Sequence, residues 1–76
     1  MKLFLIERTD NPRDYDIYLG AVVVAANAEE ACAMHPDRRE PITYKTWTSP
    51  ENVSVKYIGE AAVGLTGVIL ADFLSG

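Results

Sequence analysis

The sequence predicts a small single domain of the α+β class over residues 1–76, in the order β-β-α-β-β, with one short helix packed on a mostly antiparallel sheet. Three observations lead there. Four stretches are dense in β-branched and aromatic residues. A single capped, proline-terminated helical stretch lies between the second and third of them. The loop between the first two is short enough for an antiparallel hairpin.

The first stretch, KLFLIER, places Leu3 and Leu5 on one face and Phe4 and Ile6 on the other, so an apolar pattern on both sides predicts a central strand. TDNPRDYD follows, with Asn11-Pro12 and three aspartates, the composition of a turn or exposed loop. YDIYLGAVVVAA, with three consecutive valines, is the strongest β signal in the chain. In AANAEEACAMHP, Asn27 is suited to cap a helix, Glu29 and Glu30 fall in its first turn, and Pro36 ends it. A helix of about nine residues is unstable alone, so it should dock on the sheet through Ala28, Ala31, Cys32 and His35.

DRREPITYKTWTSPEN reads as a long connection, with a short edge strand conceivable over Ile42 to Thr48. NVSVKYIGEA alternates Val53, Val55 and Tyr57 with Ser54, Lys56 and Ile58, and predicts a strand. AVGLTG is a glycine-bearing turn, and GVILADF closes the chain as a last strand. With one short helix available, one face of the sheet is expected to stay partly open, which on a small protein points to a partner or a dimer.

Composition narrows the function classes. At 76 residues a chain buries only roughly 60% of its unfolded surface, so the core must be thin. Apolar residues make up 49%, enough to exclude a disordered chain. Eleven acidic against seven basic residues give a net charge of −4, which argues against direct nucleic-acid binding, because such affinity comes from Lys and Arg on phosphates. The stretches LGAVVVAANA and AAVGLTGVILADFL fall short of about 20 apolar residues, so no membrane span is expected. MKLFLIERTD meets charge too early for a secretory signal, and a lone cysteine forms no internal disulfide; both favour a reducing cytoplasm.

Cys32 and His35, the only cysteine and histidine, stand three residues apart and so share a helical face. A nucleophile and base would need a cleft and a third, orienting group, and zinc needs three or four ligands, so packing against the sheet is the reading of the pair. Asp10, Asp14 and Asp16 fit no calcium-loop spacing, and Arg13 among them would repel a cation; they read as a solvated turn that can serve as a contact surface. Arg38 and Arg39 either are neutralised by the flanking Asp37 and Glu40 or grip a phosphate or a partner's carboxylate. Trp47 either closes the thin core or anchors a contact. The glycines Gly59, Gly64 and Gly67 make no phosphate loop. No catalytic residue, metal ligand or cofactor is therefore expected, and the chain reads as no enzyme.

MKLFLIERTD, YDIYLGAVVVAANAEEACAMHP and GEAAVGLTGVILADFLSG together resemble small proteins encoded by tailed phages and prophages. In size, acidity and segment order the chain is also loosely similar to anti-CRISPR proteins. The resemblance implies a non-enzymatic phage accessory protein that binds and inhibits a host or defence protein complex. Its expected contacts are Asp14, Tyr15 and Asp16 in the acidic loop, and Arg38, Arg39 and Trp47 in the polar connection. The alternative is a small structural or assembly protein acting as a homodimer through an exposed strand edge, with GVILADF as the candidate, or through the open sheet face.

Overall fold

The computed structural model describes residues 1–10, 17–36 and 47–74. Strands β1 (Lys2–Arg8) and β2 (Ile17–Ala25) are followed by helix α1 (Ala28–Cys32), a single 3₁₀ turn at Pro50–Asn52, and strands β3 (Val53–Glu60) and β4 (Gly67–Leu74). The strands form one sheet in the order β3-β1-β2-β4, with every neighbouring pair antiparallel. Because β2 and β3 are both antiparallel to β1, they run in the same direction, and the segment carrying α1 is the crossover between them.

The α+β expectation is corrected by these elements. Among the described residues the fold is a four-stranded antiparallel sheet with one five-residue helix, sheet-dominated rather than a sheet with a helical layer. The helix is shorter than the nine residues expected because it unwinds ahead of Pro36. The Ala33 amide is shared between the Glu29 and Glu30 carbonyls, and the Met34 amide reaches back only to Ala31, the tighter spacing of a 3₁₀ turn. Its start matches the sequence signal: the Glu30 amide donates to Asn27 Oδ1 at 2.9 Å. Of the four residues expected to dock, Ala31 is buried, Cys32 and His35 are half-buried and Ala28 is exposed.

One face of the sheet carries the core. Phe4 stands opposite Val23 and Tyr57, and Ile6 opposite Ala21 and Val55, so inward side chains line up across three strands. Ala31 of α1 and Trp47 join Phe4, Ile6, Ala21, Val23 and Ala25 in one buried cluster. Burial of Phe4, Ile6 and Val23 is worth roughly 1.5–3 kcal/mol each. Gly20 lets β1 and β2 close up, since a Cβ there would sit 2.7 Å from the Ile6 carbonyl oxygen.

The link between β3 and β4 is unusual for consecutive strands, since they occupy opposite edges. Residues 61–66 must cross three strand spacings, about 14 Å, which six residues can span at up to about 20 Å. The bridge runs past the start of β1, where the Ala61 amide donates to the Met1 carbonyl at 3.1 Å. It turns at Ala62–Leu65, with Gly64 at a φ of 93° that side chains resist.

Candidate interaction surface

Two features stand out beyond the core: a polar staple at one end of the sheet and a second, apolar sheet face. The staple begins at Arg8, the last residue of β1. Its guanidinium grips Asp10 with both arms, Nε to Oδ1 at 2.8 Å and Nη2 to Oδ2 at 3.0 Å, while Nη1 donates to the Tyr18 carbonyl at 3.3 Å. Thr48 Oγ1 donates to Asp10 Oδ2 at 2.8 Å, and Asn52 Nδ2 donates to Thr48 Oγ1 at 3.3 Å. The Arg8 hydrogen bonds, aided by Thr48, hold the Asp10 carboxyl down to about 2. Arg8 also lies over the Trp47 ring, 5.9 Å from its centroid.

Trp47, expected as a contact residue, is 3% exposed and belongs to the core. Asp14, Tyr15, Asp16, Arg38 and Arg39 lie outside the described residues, as does the 42–46 part of the conceivable edge strand; Trp47 and Thr48 are not in a strand. The flanks of both expected contact segments are joined, because Asp10 precedes one and Thr48 closely follows the other.

Cys32 and His35 make separate contacts. The Cys32 thiol donates to the Pro50 carbonyl at 3.3 Å, and the His35 ring meets Tyr18 edge-on at 6.3 Å. The helix ends at Cys32, so the two do not share a helical face. Among the described residues no three His, Cys, Asp or Glu side chains are placed to hold a metal ion, and no helix is long and apolar enough to cross a membrane.

The second sheet face follows from strand alternation. Pairing places Lys56, Leu5, Val22 and Leu70 in one row across β3, β1, β2 and β4, and Ser54, Glu7, Gly20 and Asp72 in the next. Leu3 and Val24 sit in the row on the far side of Leu5 and Val22. Leu3, Leu5 and Val22 are half-buried, and Leu70 is 69% exposed. Leu5, Leu19, Val22 and Leu70 line a groove of about 400 Å³ that ends at Glu7 and Asp72. At the β4 edge Ile69 and Phe73 are also exposed.

The apolar alternation of β1 was legible as a buried strand, but it did not show that Leu5 faces a groove. Lys56 and Glu7 were not singled out by the sequence; their only signal was a charge among apolar positions of the same alternation. The structure thus defines a class: an open-faced antiparallel sheet domain with apolar outer strands. Comparison with protein-family models, curated proteins and solved structures finds no match for the chain.

Proposed function

We propose that this is a non-enzymatic assembly domain that associates with a second copy of itself through the open sheet face and the adjoining β4 edge. The observation that carries the reading is where the exposed large hydrophobic residues fall. Among the described residues all but Met1 lie between Tyr57 and Phe73, with Leu70 on the open face and Ile69 at the adjoining β4 edge. Concentrated apolar exposure of this kind on a small domain is the mark of an association surface. Light scattering of the intact protein over a concentration series tests it. A mass rising from one copy to two is expected, and replacement of Leu70 by Glu should hold the protein at one copy. A single-copy mass up to about 1 mM, weaker than any useful dimer, would remove the reading.

A second reading is supported by the net charge of −4 and by the polar staple that joins the flanks of the two expected contact segments. In it the protein is a phage accessory factor in the cytoplasm of a bacterial host, where it binds and inhibits a host or defence protein complex. Reversing the charge of Asp14 and Asp16 should then abolish stoichiometric capture of one host complex from infected cells without changing the thermal melt. Equal capture by the variant would remove the acidic loop from this account.

A further inference from the structure

We infer that the second copy docks face to face about a two-fold axis parallel to the strands, so that β3 of each copy covers β4 of the other and Lys56 approaches Asp72 of the partner subunit. This rests on the reading above that the open face receives a second copy.

The arrangement follows from the distribution of charge on the face. Lys56, on the β3 side, is its one cation among the described residues, while its carboxylates, Glu7 and Asp72, share the neighbouring row. A face packed on itself by a two-fold axis has two simple options. An axis lying across the strands keeps each strand over its own copy and reverses the rows. Lys56 then falls on Lys56 of the partner subunit, and the row of Glu7 and Asp72 falls toward the partner's Leu3, so like charges meet and the carboxylates are desolvated with no cation to meet them. An axis along the strands keeps the rows and reverses the strand order. Leu5 then covers Val22 of the partner subunit, and Val22 covers the partner's Leu5, so the apolar centre meets itself twice. Lys56 falls over Leu70 of the partner subunit, one row from the partner's Asp72. With rows about 7 Å apart and sheets about 10 Å apart, a lysine stem can lie along the leucine and bring its ammonium to that carboxylate.

The size of the face agrees. Four strands about 4.8 Å apart and eight residues long at about 3.3 Å each cover roughly 500 Å² per copy. Two such faces bury about 1,000 Å², the lower bound of a specific interface, and describe a reversible dimer rather than an obligate one.

The test is a charge swap in the intact protein, read by sedimentation equilibrium. Lys56→Asp and Asp72→Lys should each weaken the dimer about tenfold or more, since each sets like charges together across the interface. The double variant, Lys56→Asp with Asp72→Lys, should return to within about threefold of the parent, because the pair is restored in reverse. Lys2→Asp, which makes the same charge change off this face, should leave the dimer unaltered. Both sites are exposed, and thermal melts of each variant confirm that the fold is retained. A parent that stays a single copy overturns the assembly reading itself, and this arrangement with it. A parent dimer insensitive to both single changes, or not restored by the double, leaves self-association standing and overturns the face-to-face geometry. Pairing of two β4 edges would give that second result.

Discussion

The inner strands β1 and β2 and the outer strands β3 and β4 are written in similarly apolar sequence, yet the molecule treats them differently. Phe4 and Ile6 of β1 and Ile17, Ala21, Val23, Val24 and Ala25 of β2 are all buried. No residue of β3 or β4 is, and Tyr57, Ile58, Ile69, Leu70 and Phe73 stand exposed there. Each inner strand has a neighbour on both sides, and the cover from Ala31 and Trp47 reaches the middle of one face. The outer strands have one neighbour each, and although Val53, Val55, Val68 and Ala71 pack against the margin of the core, they are covered only in part. Apolar patterning therefore marks surface that can be covered, while the supply of covering elements decides which of it is. Among the described residues one five-residue helix supplies little cover, and the apolar remainder stays exposed.

The sharpest way to break this contrast is to shorten an inner side chain. Ile6→Ala empties a fully buried site and should cost about 2–5 kcal/mol, a large share of the roughly 4–11 kcal/mol expected for a chain this long. A urea midpoint that barely moves would show that the inner pair is not the core. Gly20→Ala comes next, at about 1–3 kcal/mol, because the added Cβ meets the backbone carbonyl of Ile6 rather than a side chain that can turn aside. Chemical denaturation measures it, and an unchanged midpoint would mean that β1 and β2 can part without loss.

Asp10→Asn is smaller, roughly 1 kcal/mol, since solvent reaches the carboxylate and screens the Arg8 pair. Its pH dependence gives the sign. The folded carboxyl is held down to about 2 against 3.8 unpaired, so its contribution is complete above about pH 4 and disappears as pH falls toward 2. Parent and variant should differ in Tm at pH 7 and at pH 5, and converge near pH 2; a constant gap would place the effect elsewhere. Smallest is Leu70→Ala on the outer strand, within about 0.5 kcal/mol for the folding of a single copy, measured by dilute thermal melts. A loss as large as that of Ile6→Ala would erase the distinction between inner and outer strands.

Much of the strand content was readable because each strand depends on local pattern. The two-sided apolar alternation of KLFLIER marked β1 as central, and the sheet places it between β3 and β2. Asn27 capped the helix as its side chain dictates, but the length of that helix was misjudged, because proline disturbs the backbone ahead of itself as well as at its own position. Strand order, the register shifts near Leu19, Ile58 and Ile69, and the close approach at Gly20 depend on residues far apart in sequence, and no local pattern encodes them. For the same reason the Arg8–Asp10–Thr48 staple, in which Asp10 and Thr48 lie 38 residues from one another, left no trace in composition or spacing. The candidate surface was legible only in part: GVILADF could be read as an edge with one guarding aspartate, whereas the row of Lys56, Leu5, Val22 and Leu70 exists only once four strands are side by side.

The bridge of residues 61–66 sets how the sheet comes apart. Because β3 and β4 are joined by it yet never hydrogen-bonded to each other, either can peel from its edge without breaking the other's ladder. Release of β4 leaves β3, β1 and β2 paired and the cluster around Phe4 and Val23 in place. Amide protons of β4 bonded to β2 should thus trade with solvent through a local opening, long before those shared by β1 and β2, which wait for the whole molecule to unfold. The exposed apolar residues of β4 thus sit on a strand that can leave the sheet while its centre stays folded.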